Sequence, residues 1–175
     1  MPGIKPAAGS FLLIIIAVVS ALLTDSCQGL KDEEPYVGDW QSVETVTADQ
    51  MVYTTTRTLH LTRNSYEETY VITRQSLETI SGIIGTGGRI IRSHNHITFE
   101  LQKLGTCAKD SLDACTSSVI WYHEGTQYWT DNAQFFGLVI KADYKAADST
   151  LTLTRDLNND GDTLDEGENV VFTRI

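Results

Sequence analysis

The chain is short of proline, with three in 175 residues, and equally short of cysteine, also with three. Basic residues are in deficit: 13 Lys and Arg stand against 23 Asp and Glu, a formal charge of -10 at pH 7. A surface of that sign repels nucleic acid and anionic membrane, which excludes DNA and RNA as partners. No segment repeats apolar residues at the helical period over a normal helix length. Catalytic and nucleotide signatures are missing too. There is no Gly-x-Ser-x-Gly elbow, and no two acids stand out as general acid and base. The glycine-rich stretch from Gly82 to Gly88 lacks the Lys-Ser/Thr ending of a phosphate-binding loop. It reads as a flexible or bulged connection, where glycine permits a sheet corner. The sequence therefore points away from an enzyme.

What is present is Thr, Val, Ile and Tyr, with apolar residues at every second position in many places. That is the period of a strand. Strands are expected over residues 40–46, 56–62, 66–74, 77–84, 88–93, 96–104, 119–123, 127–130, 135–144, 150–155 and 170–175. Arg63-Asn64-Ser65, His94-Asn95, Glu124-Gly125-Thr126 and Ala147-Asp148-Ser149 supply turns between them. Many short strands with regular turns predict an all-β domain, an antiparallel meander β-barrel or, as the alternative, a β-sandwich. Closure into a barrel removes exposed edges.

The N-terminus has a different character. Lys5 is the only charged residue before Asp25, and an apolar run from Phe11 to Leu23 follows it, broken only by Ser20. A short basic region followed by such a run is the layout of an export signal. The run is shorter than the roughly 20 residues a membrane-spanning helix needs, although a retained anchor helix is the alternative. Leu22-Leu23-Thr24-Asp25-Ser26-Cys27 then resembles the lipobox of bacterial lipoproteins, in which Leu and small residues precede a lipidated Cys. The resemblance implies a signal peptide over residues 1–26 and acyl chains such as palmitate on Cys27. Residues 27–35 would be the lipidated Cys with an acidic tether, and residues 36–175 the folded domain. Two or more acyl chains give stable membrane anchoring. Gln28 is compatible with sorting to the outer membrane, and Lys31-Asp32-Glu33-Glu34 resembles the acidic surface-export signal of some bacterial lipoproteins. An outer-membrane, lipid-anchored, cell-surface protein is expected; a periplasmic or secreted protein with a free Cys27 is the alternative. If Cys27 carries lipid, Cys107 and Cys115 remain as a pair, and an exported protein lives where disulfides persist.

Tyr36-Val37-Gly38-Asp39-Trp40 opens the domain and Phe172-Thr173-Arg174 closes it. Gly-x-Trp on the first strand, with an Arg on the last, resembles the lipocalins and the bacterial lipocalin-like lipoproteins. The resemblance implies that Trp40 closes the barrel floor with Arg174 packed over its ring, Arg155 being the rival. A guanidinium on an indole gains cation–π energy while its donors reach backbone carbonyls.

Three further clusters invite a site. Asp156, Asn158, Asp160 and Asp162 alternate ahead of Asp165 and Glu168, with Gly161 among them. Oxygen ligands at alternate positions with a glycine turn suit Ca²⁺, and a solvated hairpin loop is the alternative. Trp121, Tyr122, Tyr128 and Trp129 flank Gly125-Thr126 and predict an aromatic hairpin, with Tyr122 facing Trp129 and His123 facing Tyr128. Cross-strand pairs that stabilise the sheet are the first reading, and the lining of a ligand cavity or a partner patch is the other. His94 and His96 could ligate zinc only with His60 or His123, so a solvated turn is the expectation. The expected function is non-catalytic: a lipid-anchored barrel for a small apolar ligand. The alternative is a surface protein binding extracellular macromolecules, in a pathogen host matrix or complement proteins.

Overall fold

The computed structural model describes residues 34–116, 118–157, 162, 163, 165 and 168–175. The expected signal peptide and Cys27 lie outside the described residues. The Thr- and Val-rich segments form β1 (Gly38–Ala48), β2 (Met51–Leu61), β3 (Ser65–Arg74), β4 (Thr79–Ser93), β5 (His96–Thr106), β6 (Ile120–His123), β7 (Val139–Ala146), β8 (Thr150–Arg155) and β9 (Asn169–Arg174). One short helix, α1 (Gln127–Asn132), precedes a 3-10 turn at Ala133–Phe135. Among the described residues no helix is long and apolar enough to cross a membrane.

Eight of these strands, all but β6, close an antiparallel meander: β1 through β5, then β7, β8, β9 and back to β1. The barrel is therefore the form that the sequence pattern and the lipocalin-like resemblance implied, and the sandwich is set aside. Closure is uneven. β1 and β2 pair along their whole length, whereas β9 meets β1 only at Trp40–Arg174 and Gln41–Thr173. The second edge of β5 is shared: residues 96–100 pair with β7 and residues 103–106 with β6. Hence one end, the floor, is a closed barrel. The other end is a curved wall of β1 to β6, because β7, β8 and β9 stop partway up.

The floor carries the main core. Trp40, Leu59, Leu61, Tyr66, Ile90, Ile97, Phe99, Leu151, Leu153 and Phe172 pack together with little or no exposure. They occupy alternate positions on their strands, as a period of two requires. Arg174 is the arginine over Trp40, its guanidinium carbon 4.4 Å from the ring centroid. It donates to the carbonyls of Pro35 (3.1 Å) and Val37 (3.3 Å), while the Trp40 indole donates to the Tyr36 carbonyl (2.9 Å). Gly38, at φ +143°, makes room for this lid: a Cβ there would come within 2.9 Å of Arg174 Nη1. Arg155 points into the barrel instead.

Three expectations need correction. Residues 77–84 and 88–93 are not two strands with a flexible glycine connection between them. Residues 79–93 form the single strand β4, in which the bulge that was the other expectation for this stretch is present at Gly87/Gly88, and Leu77 belongs to a 3-10 turn, Gln75–Leu77. At Gly88 the neighbouring strand comes so close that a Cβ would sit 2.0 Å from the Glu100 carbonyl oxygen. Residues 127–130 are helix, not strand, because Thr126 caps α1, its hydroxyl accepting the Trp129 N–H at 3.3 Å. Gln127 also donates to Asp131 one turn on, at 2.7 Å. The third concerns residues 135–144, where the strand begins only at Val139, after the 3-10 turn.

Candidate ligand cavity

Charged residues interrupt the apolar alternation at one level of the barrel, just above the floor core. Arg57 follows the inward phase of Leu59 and Leu61, Glu68 that of Tyr66, and Arg155 that of Leu151 and Leu153. All three are buried. Arg57 Nε donates to Glu68 at 2.6 Å, and the Arg155 guanidinium donates to both Glu68 oxygens at 3.1 and 3.3 Å. In the ring of strands, β3 and β8 are diametrically opposed: β2, β1 and β9 lie between them one way, β4, β5 and β7 the other. The Glu68–Arg155 pair is thus a strut across the lumen. Rings flank it, with Arg57 over Tyr70 (4.8 Å) and Phe172 (5.1 Å), and Arg155 over Phe99 (5.4 Å).

Burial pushes the Glu68 carboxyl up, but the two guanidiniums and their hydrogen bonds more than offset this and hold it at about 2. Burial, with the Glu68 charge adding to it, pushes the Tyr70 hydroxyl up to about 12, and burial raises Tyr66 as well. At neutral pH the deck therefore holds two cations, one anion and protonated phenols.

Above this deck lies a cavity of about 740 Å³. Its polar wall includes Glu68, Tyr70, Thr86 and Arg155; its apolar wall includes Ile84, Phe136 and Ile140. Phe135, Val139 and Leu157 line it while being 75%, 58% and 45% exposed, so they form its rim. The volume falls within the roughly 300–1,000 Å³ of small-molecule sites.

The expected aromatic patch is divided and does not line this cavity. Tyr122 stacks on Tyr128 (4.3 Å, 27°) instead of facing Trp129, and Tyr128 and Trp129 pack on Leu101, Leu104 and Ala133. Trp121 lies over Gly85, whose Cβ would be 2.8 Å from its ring, with Lys103 Nζ 4.4 Å from the ring centroid. The helix causes the division: α1 turns the chain back after β6, so no second strand continues the hairpin.

Cys107 and Cys115 are joined by a disulfide. Of the expected calcium ligands, Asn158 and Asp160 lie outside the described residues. Asp156 is on the cavity lining. Glu168 is buried, and its carboxylate accepts the N–H groups of Leu157 (2.7 Å) and Asp165 (3.2 Å), which fastens the two ends of the loop. Asp162 and Asp165 are exposed. The histidines are apart: His60 meets Asp39 at 2.5 Å and His96 meets Asp143. Among the described residues no three His, Cys, Asp or Glu side chains gather as metal ligands.

No protein-family model matches this sequence, and comparison with curated proteins finds no match.

Proposed function

We propose that the domain is a non-catalytic binding barrel, exported and lipid-anchored at Cys27, that takes a small, largely apolar ligand into the cavity above the Arg57–Glu68–Arg155 deck. One observation carries the reading. The meander closes below, opens above, and leaves about 740 Å³ walled by Ile84, Phe136 and Ile140 under a rim of exposed apolar side chains. Exposed apolar clusters of that kind mark binding grooves. The chemistry of the deck supports binding over turnover. A carboxylate held at about 2 is a weak base at neutral pH, and arginine does not give up its proton there.

The test is uptake of the uncharged fluorophore N-phenyl-1-naphthylamine. Saturable one-to-one binding is expected, and Ile84→Trp, which fills the cavity, should abolish it. Binding that survives this substitution would place the ligand elsewhere. Mass spectrometry of the mature N-terminus tests the anchor, with a diacylglyceryl thioether expected on Cys27.

A second reading, attachment to an extracellular protein, is favoured by the free edge of β1. Beyond Gln41 that strand has no partner on the β9 side among the described residues, and Val43 and Val46 are exposed there. Open edges of this length accept an added strand.

A further inference from the structure

Pairing between β1 and β9 stops early, and the edge it leaves is self-complementary. The Ile175 N–H donates to the Asp39 carbonyl at 3.0 Å, so odd-numbered residues of β1 turn their backbone groups toward β9. These groups alternate between the two neighbours of an antiparallel strand, which sends the N–H and C=O of Val43, Thr45 and Thr47 the same way. Among the described residues no strand pairs with them on that side. The even-numbered residues turn to β2, as far as the Ala48–Met51 pair that closes the hairpin. The open edge is also unguarded. Natural edges are commonly blunted by Lys, Pro or a bulge. From residue 42 the run is Ser-Val-Glu-Thr-Val-Thr-Ala, in unbroken register with β2 and with Glu44 as its one ionisable side chain. Two chains of charge -10 repel at a distance. Around this edge, however, the surface is neutral. Outward positions from Gln41 to Thr47 on β1, Val52 to Thr58 on β2 and Thr69 to Thr73 on β3 hold only Gln, Thr and Val.

The second reading above leaves the strand that β1 accepts unidentified. Resting on that reading, we propose that the strand is β1 of a second copy of this chain, laid antiparallel about a two-fold axis at Thr45. Thr45 then faces its own counterpart, and Val43 faces Thr47 in both directions. Every open N–H and C=O on one edge meets its complement on the other. The side chains fit the same register. Val43 packs beside Thr47, and Glu44 falls opposite Val46. The two Glu44 side chains lie only on the diagonal, roughly 7–8 Å apart, and not face to face. Neighbouring registers fail. An axis at Val43 would need Gln41, which β9 already holds, and one at Thr47 would run past the strand into the left-handed turn at Asp49 and Gln50. The axis sets the two barrels head to tail, which suits copies carried on facing surfaces.

The experiment places single cysteines on this edge of the full-length chain, held in detergent with micelles in excess, and oxidises it with copper phenanthroline. A hydrogen-bonded antiparallel pair sets its Cα atoms about 5.5 Å apart, a span that a disulfide bridges. The two Thr47 residues would be displaced by four residues along the strand, about 13 Å. Thr45→Cys should therefore give at least about tenfold more cross-linked dimer than Thr47→Cys, with the parent chain as the baseline. Thr45→Pro removes an N–H that points away from β2, so the β1–β2 ladder should stand, as circular dichroism checks, while sedimentation shows the dimer gone. Equal cross-linking at both positions, or a dimer that survives Thr45→Pro in a folded protein, would overturn the self-pairing. A chain that stays monomeric while the peptide Thr-Val-Thr-Val-Thr-Val shifts the amide resonances of Val43, Thr45 and Thr47 would overturn it too, yet keep the second reading. If the chain is monomeric and the peptide shifts nothing, both fall.

Discussion

Glu68 concentrates the physical argument at the level of single residues. It is an acid in a barrel interior, and it stays ionised only because Arg57 and Arg155 reach it. Its carboxyl titrates at about 2 in the folded chain against 4.5 for the free side chain. A folded-state value below the unfolded one means the contribution to stability is present in full above pH 4.5 and is lost as pH falls toward 2. Thermal melts between those limits should show a descending limb that is weaker in Glu68→Gln than in the parent. Parallel limbs would mean that other carboxylates govern acid unfolding. The deck went unread in the sequence, although a signal for it is there. Arg57 and Arg155 sit two residues from a Leu at the inward phase of their strands, and Glu68 sits between Tyr66 and Tyr70. Charge at an apolar phase marks either an outward-facing register or a buried pair. A single strand cannot decide between them, because the partner lies 11 or 87 residues away.

Among the elements, the meander strands could be read from alternation because one face of each is buried against the floor core. The end of β1 was harder: its turn uses Asp49 and Gln50, both at positive φ, in place of the expected glycine or asparagine. The segment after β6 was harder again. Its aromatic residues suit a strand, and the helix is decided by one hydroxyl at Thr126 and by packing of Trp129 on Leu101 and Leu104. Thr126→Ala should therefore cost about 1 kcal/mol in urea unfolding. It should also disturb the Tyr122–Tyr128 stack, giving a changed near-ultraviolet circular dichroism signal. A neutral substitution would show that tertiary packing alone holds α1. The cavity rim comes from this same segment, which is why the lining could not be named from sequence: Phe135 and Val139 reach it only because the chain breaks into a 3-10 turn before β7.

For the molecule as a whole, the barrel combines a closed apolar floor, a charged deck and an open upper wall. The Cys107–Cys115 bridge lies in the long β5–β6 connection, where Cys115 N–H donates to the Ile80 carbonyl at 2.8 Å and so fastens that loop to β4. Reduction should lower unfolding stability by about 2–3 kcal/mol through release of the short loop. It should leave ligand uptake intact, since neither cysteine lines the cavity. Loss of binding on reduction would tie the upper wall to the site more closely than this architecture allows.

The claim on which the rest depends is that the space above the deck receives the ligand, and methyl resonance mapping with N-phenyl-1-naphthylamine addresses it most directly. Shifts at Ile84, Ile140 and Val139 that saturate together, with Leu59 and Leu61 in the floor unmoved, are the predicted pattern. Shifts confined to Val43 and Val46 on the free edge of β1, or no shifts at all, would contradict it.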